Sequence, residues 1–329
     1  MKITIIGDGG WGTALGLLLR QNGHEVTIWG PFADYLAEVR ARRENVRYLP
    51  GVPLPVAIVW TADPDAAAAG AEAFVLAVPS KFFAEVCRRF AGRIAPQTPV
   101  VSVTKGLCAE SRRRMSEIAA EILRHDDISV LSGPSHAEEV ARGLPTAVVV
   151  AAARNRQHAE IFQRLFSGPR FRVYTSCDPV GVELGGAVKN VIAIAVGVSD
   201  GLSFGDNSRA ALITRGLVEM TRLAVSLGAQ PETLAGLSGM GDLIVTCTSR
   251  HSRNRGVGER LGRGEKIAGI LAGMNMVAEG VWNSRIVRQL ARDRGVEMPI
   301  SEQVHGFCYE NLDPQQALVA LMARDSKPE

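Results

Sequence analysis

The sequence predicts an α/β N-terminal domain built on a mostly parallel sheet, followed by an all-α C-terminal domain. Three observations carry this. Eight short apolar runs alternate with helical stretches through the first half of the chain. A glycine-rich turn separates the first run from the first helical stretch. Near Asp178 the character changes, and helices punctuated by Gly and Pro continue without clear period-2 strands. At 329 residues the chain exceeds what one core usually supports, so two domains are expected, 1–178 and 179–329.

The apolar runs lie at residues 3–6, 26–29, 56–60, 74–78, 100–103, 128–131, 147–150 and 171–174. Between most of them lie segments with helical spacing, such as 12–21, 82–90 and 111–124. This β-α-β rhythm argues for a largely parallel sheet covered on both faces, with functional residues at the carboxyl ends of the strands. Past the boundary, Asp178-Pro179 reads as an N-cap with proline at the first helical position. An apolar helix follows to about Ser199, and a second runs from about Asn207 to Leu227, closed by Gly228.

Hydrophobic residues make up 46% and charged residues 22% of the chain, ordinary values for a globular protein. The net charge of +3 signals neither nucleic acid nor a membrane surface, and is compatible with a local basic pocket for an anionic substrate. Met1-Lys2 leads straight into the first run, without the regions of a signal peptide. Apolar runs such as 147–153 and 191–198 are too short to span a bilayer. The cysteines (Cys87, Cys108, Cys177, Cys247, Cys308) are odd in number, scattered and never spaced CxxC. Neither a disulfide framework nor a zinc site is indicated, which fits a reducing cytoplasm.

Gly7-Asp8-Gly9-Gly10-Trp11-Gly12 is GxGxxG after a strand and before a helix. The first glycine permits a tight turn, the second lets the backbone approach a pyrophosphate, and the third allows close helix packing. The helix start adds N–H donors and a positive dipole. A lone GxGxxG is weak and could be a Gly-rich turn. Strand, turn, helix and second strand in this order favour a Rossmann-like dinucleotide site instead. The acid usually expected at the end of the second strand is missing: Trp29-Gly30-Pro31 stands there, Asp34 comes late, and Arg40, Arg42 and Arg43 follow. NAD and NADP both stay open.

Several other strand ends carry polar or backbone-exposing residues: Val78-Pro79-Ser80-Lys81, Thr104-Lys105-Gly106 and Ser132-Gly133-Pro134-Ser135. Lys105 could offer a fixed cation to an anionic or carbonyl oxygen, or be a solvated loop lysine. Gly133-Pro134-Ser135 could cap the helix at 137–142 or present N–H groups to a substrate. In the apolar helix, Lys189 and Asn190 are exceptions that need partners. Desolvation favours a neutral lysine, which suits proton exchange; snorkelling or a structural ion pair explains it equally well. Asp242, set between glycines in Gly239-Met240-Gly241-Asp242-Leu243, could orient a lysine or a substrate hydroxyl. Thr246 lies one helical turn further on. Ser252-Arg253-Asn254-Arg255 sets guanidinium and amide donors side by side, as a phosphate site needs, although such a tetrapeptide is more often an exposed basic loop.

Together these stretches resemble the bacterial type of the NAD(P)-dependent sn-glycerol-3-phosphate dehydrogenase family. The resemblance is carried by residues 7–15 (GDGGWGTAL), 104–107 (TKGL), 132–135 (SGPS), 185–194 (GGAVKNVIAI), 214–219 (TRGLVE), 239–246 (GMGDLIVT), 252–255 (SRNR) and 277–280 (VAEG). They occur in order from the first strand to about Pro299, and GAVKN and SRNR are far more specific than the glycine motif.

The resemblance implies a cytoplasmic oxidoreductase that interconverts glycerol 3-phosphate and dihydroxyacetone phosphate with NAD or NADP, supplying phospholipid synthesis. It implies that Lys189 exchanges the proton of the C2 oxygen, that Lys105 contacts cofactor and substrate, and that Asp242, Asn190 and Thr246 position the reacting groups. Ser252, Arg253 and Asn254 would bind substrate, the last two at its phosphate, with Gly133 and Ser135 adding contacts. Gly10, Trp11, Ala137, Arg253, Val277 and Glu279 would line the cofactor beside Gly7, Gly9 and Gly12 of the turn. A homodimer is expected at family level. Three positions depart from the pattern. Gly10 stands where serine is common, Pro31 where His or Arg often follows the second strand, and Ser135 where threonine is frequent. Pro31 puts NADP preference in doubt. Competing readings are a β-hydroxyacid dehydrogenase with a helical lysine base, and a nicotinamide-sensing protein without catalysis.

Overall fold

All eight apolar runs of the N-terminal half become strands of one sheet. The structure, a computed structural model, describes residues 1–274 and 278–322. The chain divides into two units, Met1–Glu183 and Leu184–Glu329. The first unit opens with β1 (Lys2–Ile6), α1 (Gly10–Gln21), β2 (Glu25–Trp29), α2 (Ala33–Arg42), β3 (Glu44–Asn45), β4 (Leu49–Pro53) and β5 (Ile58–Thr61). It continues through α3 (Pro64–Ala68), β6 (Ala73–Leu76), α4 (Ser80–Phe90), β7 (Val100–Ser102) and α5 (Met115–Leu123). It finishes with β8 (Ser129–Ser132), α6 (Ala137–Ala141), β9 (Thr146–Ala151), α7 (Arg156–Phe166) and β10 (Phe171–Ser176).

The strand order is β10-β9-β8-β7-β6-β1-β2-β5, parallel throughout except for the antiparallel pair β8–β9. From β1 the chain builds outward to β2 and β5 on one side, then returns to lay β6, β7 and β8 on the other. The order therefore reverses between β1 and β6, and a ligand crevice belongs at the carboxyl ends of that pair. Burial on both faces explains the continuous apolar runs. Ile3 and Ile5 pack with Leu15, Leu36 and Phe162 on one side, and Ile6 and Phe74 pack with Phe83, Phe90 and Ile118 on the other. Thr4 is fully buried, and its hydroxyl donates to Ala67 O at 2.6 Å. The antiparallel ribbon β3–β4 is an addition that no apolar run announced.

The helical half begins with α8 (Pro179–Gly201), whose first turn falls in the N-terminal unit. There Asp178 accepts the Gly181 N–H at 2.8 Å, the expected cap. Glu183 accepts from the Ser116 N–H (2.9 Å), the Ser116 hydroxyl (2.5 Å) and Arg114 (2.8 Å). By length and composition α8 could cross a membrane, unlike the shorter runs considered in isolation. With 94% of its apolar window buried inside the protein, it is a core helix. α9 (Gly205–Ser226), α10 (Pro231–Ala235), a π turn (Leu237–Gly241), α11 (Asp242–Thr248), α12 (Arg253–Gly262) and α13 (Ile267–Ala272) follow. α14 (Glu279–Asp293), α15 (Pro299–Tyr309) and α16 (Pro314–Met322) complete the second unit. α8 and α12 touch backbone to backbone, because a Cβ at Gly258 would lie 2.0 Å from Ile194 O and one at Gly197 2.0 Å from Arg255 O.

Candidate active site

In the N-terminal unit the glycine turn sits at the reversal point of the sheet. Gly7 N–H donates to Trp29 O (2.9 Å) and Ala77 N–H to Ile6 O (2.8 Å), so the turn leaves β1 flanked by both neighbouring strands. Gly7 has φ +126°, and a Cβ there would lie 2.4 Å from Ala77 O. Only glycine makes this turn. A Cβ at Gly12 would lie 2.3 Å from Gly7 O, which accounts for the third glycine.

The turn fits a dinucleotide. Gly9 is the N-cap of α1 and gives no side-chain cap; the first turn carries no acid. A Cβ on Gly9 would meet nothing within 4 Å among the described residues. The helix amino end thus keeps N–H donors and positive potential for an anion approaching over Gly9. Beside it, Asp8 Oδ2 and Trp11 Nε1 are buried without a hydrogen-bond partner among the described residues. Unpaired buried polar atoms are costly, and a ligand bearing donors and acceptors would satisfy them. Gly10 and Ala137 meet: a Cβ on Gly10 would lie 3.8 Å from that of Ala137, and 2.4 Å from Tyr48 O. The second distance gives a reason for glycine where the family commonly has serine.

Lys105 follows β7, and its Nζ donates to Gly133 O at 2.9 Å and reaches Ser135 Oγ at 3.4 Å. Ser135 Oγ in turn donates to Gly133 O at 2.9 Å. Neighbouring strand ends thus bring Lys105, Gly133 and Ser135 together, and the ammonium is held rather than loose in solvent. Ser135 does not cap α6, whose N-cap is His136.

In the C-terminal unit Lys189 and Asp242 are 5% and 1% exposed. Lys189 Nζ forms a salt bridge with Asp242 Oδ1 and donates to Thr246 Oγ1 at 2.6 Å. Thr246 Oγ1 in turn donates a hydrogen bond to Asp242 O at 2.6 Å, a back-bond along α11. The π turn delivers Asp242 to the start of α11, with Gly241 N–H closing on Gly236 O at 3.1 Å. Such wide turns are frequent at functional sites. Neighbouring Cys247 is inert, its thiol pushed by burial up to about 12.

Asn190 takes a different role from Lys189. Its Nδ2 donates to Gly186 O (3.2 Å), while Oδ1 accepts from Asn254 Nδ2 (2.9 Å). Asn254 Oδ1 then accepts the Gly280 N–H at 2.9 Å. This amide chain joins α8, α12 and the start of α14, and sets Arg253 and Glu279, the first residues of α12 and α14, on neighbouring helix starts. Ser252 is the N-cap of α12, accepting from Arg255 N–H at 3.2 Å. The Arg255 side chain does not share this helix start. Arg255 turns to Asp200 (2.7 Å), which also binds Arg209 (2.9 Å), so Arg255 serves an ion-pair network. Val277 lies outside the described residues.

Comparison with known proteins bears on these two constellations. The description "NAD-dependent glycerol-3-phosphate dehydrogenase N-terminus" matches residues 2–159, and "NAD-dependent glycerol-3-phosphate dehydrogenase C-terminus" matches residues 178–319. The chain belongs to the NAD-dependent glycerol-3-phosphate dehydrogenase family. Among its relatives is the glycerol-3-phosphate dehydrogenase [NAD(P)+] of Geobacter sulfurreducens, 49% identical over 331 residues, covering 100% of this chain and 98% of that one. The Chlorobium phaeobacteroides protein of the same name is 47% identical over 332 residues, covering 100% and 99%. The crystal structure of glycerol-3-phosphate dehydrogenase from Coxiella burnetii superposes with a TM-score of 0.94 at 44% identity, over 98% of this chain and 99% of that one.

Within this family framework, sequence reasoning passed over several positioning residues. Asn45 is fully buried and donates to Asp8 O (2.7 Å) and Thr13 Oγ1 (2.8 Å), bracing the glycine turn. Tyr35 fixes it by donating to its Oδ1 at 2.6 Å. Glu219, within the TRGLVE motif, accepts from Ile300 N–H (2.6 Å), Ser301 N–H (3.1 Å) and Ser301 Oγ (3.0 Å), capping α15. The signal for Glu219 was an acid on a helix whose partner Pro299-Ile300-Ser301 lay 80 residues away, which local pattern does not connect.

Proposed function

We propose that the protein interconverts sn-glycerol 3-phosphate and dihydroxyacetone phosphate by hydride transfer with NAD or NADP. The buried Lys189–Asp242–Thr246 cluster carries this reading, and the names of the full-length relatives support it. A dinucleotide held with its pyrophosphate at the glycine turn, by Gly7, Gly9 and Gly12, would supply or take the hydride at C2 through its nicotinamide. Lys189 holds the proton that must reach the C2 oxygen during reduction, and recovers it during oxidation. Asp242 keeps the ammonium charged-paired in a buried place and fixes the direction of Nζ. Thr246 adds a second fixed acceptor. Lys105, tethered by Gly133 O and Ser135 Oγ, stabilises negative charge developing on substrate oxygen. Arg253, with Ser252 and Asn254 at the amino end of α12, holds the phosphate. Binding that remote group orients the reacting carbon.

The cofactor contacts extend from Gly7, Gly9, Gly10, Trp11 and Gly12 to Ala137, with Val277 and Glu279 assigned on resemblance alone. In this reading residues 1–178 bind the dinucleotide and 179–329 carry the proton-transfer group. The protein works in the cytoplasm as a homodimer, and its product feeds phospholipid synthesis. The test is consumption of NADH or NADPH by pure protein offered dihydroxyacetone phosphate or a keto carboxylate. Turnover with the phosphorylated ketone is expected. Turnover with the carboxylate alone, or cofactor binding without any turnover, would refute the proposal.

A further inference from the structure

The second strand of a dinucleotide fold normally ends in the acid that receives the adenosine ribose hydroxyls, and here β2 ends in Trp29-Gly30-Pro31. A carboxylate nevertheless occupies that corner. A Cβ built on Gly30 would lie 2.6 Å from both Cγ and Oδ2 of Asp8. The Asp8 side chain, rising from the glycine turn after β1, therefore fills the space in which a side chain at position 30 would start. β1 and β2 are neighbours in register, Ile6 opposite Trp29, so both chain ends open on the same edge.

Asp8 is 8% exposed, and its Oδ2 has no hydrogen-bond partner among the described residues. A fold has no structural reason to retain such a group: burial pushes the carboxyl up to about 6, with its own backbone amide and the charge of Arg47 pulling the other way. At neutral pH it is still mostly ionised. Arg47 itself lies over the Tyr35 ring, 4.2 Å from its centroid. An unpaired acceptor beside the turn is what a vicinal ribose diol would satisfy, and what a 2′-phosphate would be repelled by.

We propose that Asp8 is the ribose-reading residue of this protein, taking over from the missing acid of β2 and selecting NAD(H) against NADP(H). The proposal rests on dinucleotide binding at the glycine turn, as inferred above. Asp8 would be a cofactor-contacting residue, and its carboxylate would be kept for binding at the expense of stability.

Calorimetric titration of the pure protein with NADH and with NADPH at pH 7.5 tests this in the native chain, Asp8→Asn and Asp8→Ala. The native protein is expected to bind NADH at least tenfold more tightly, and each variant to shrink that ratio by about tenfold, the cost of one lost polar contact. Thermal melts of the cofactor-free proteins supply a readout that a structural role would move oppositely: Asp8→Ala should melt no lower than native. Should Asp8→Ala fail to fold, the near-isosteric Asp8→Asn still decides the ratio. An unchanged ratio in Asp8→Asn, or a native preference for NADPH (which would point to Arg47), overturns the proposal alone. Binding of neither nucleotide overturns the dinucleotide reading beneath it.

Discussion

Replacing Asp242 by Asn would keep the shape of the C-terminal cluster while removing its negative charge. Lys189 would then be an ammonium 5% exposed, with Thr246 Oγ1 and a neutral amide in place of a carboxylate. Breaking a buried pair from one side costs about 3–5 kcal/mol, because the remaining charge is left uncompensated. The alternative, shedding the proton, costs an ordinary lysine about 4–5 kcal/mol at pH 7, from about 1.4 kcal/mol per pH unit. Both routes reach the same range, so Asp242→Asn should lose about 3–5 kcal/mol. Urea unfolding followed by far-ultraviolet circular dichroism measures this. The double variant Lys189→Met/Asp242→Leu removes both charges into apolar volume and should recover most of the loss while being inactive. A single variant as stable as native, or a double variant no better than the single, would refute the argument.

Gly10→Ser would restore the family's common residue but drive its Cβ to 2.4 Å from Tyr48 O. It should cost about 1–3 kcal/mol through overpacking and weaken NADH binding, read by thermal melting and titration. Unchanged melting would contradict the close approach. Glu219 is held by burial up to about 7, above its ordinary 4.5. The folded state keeps the proton to higher pH than the unfolded chain, so the group's contribution is complete below pH 4.5 and is lost as pH rises through 7. Native stability should fall by about 3 kcal/mol across that interval, and Glu219→Gln should flatten the fall. Equal pH slopes in urea midpoints would contradict it.

The sheet was legible because strands covered on both faces are mostly apolar at successive positions, as residues 74–78 are throughout and residues 3–6 and 100–103 are apart from Thr4 and Ser102. The direction of β9 was not, since its run reads the same whichever way it pairs with β8. The ribbon β3–β4 escaped because Leu49-Pro50-Gly51-Val52-Pro53 looks like a turn, and the bond from Gly51 N–H to Glu44 Oε1 (2.7 Å) joins its strands without apolar alternation. In the C-terminal unit the apolar α8 announced its own burial, and Lys189 announced its need for a partner. Which partner was not local: Asp242 lies 53 residues on and Asn254 lies 64 beyond Asn190. Arg255 shows the opposite failure, since adjacency in sequence suggested a shared phosphate site while the helix sends it to Asp200. Asp8 was hidden as an unspecified position inside a motif read for its glycines.

Single-turnover oxidation of NADH by excess enzyme with saturating dihydroxyacetone phosphate, in native protein and Lys189→Met, bears most directly on the proton-transfer role. The native chain should show a rapid loss of NADH. In the variant the rate should fall by about a hundredfold or more, the usual share of a positioned acid, while NADH affinity stays within about twofold. A variant that transfers hydride at the native rate would remove Lys189, and with it the proposed chemistry of this protein.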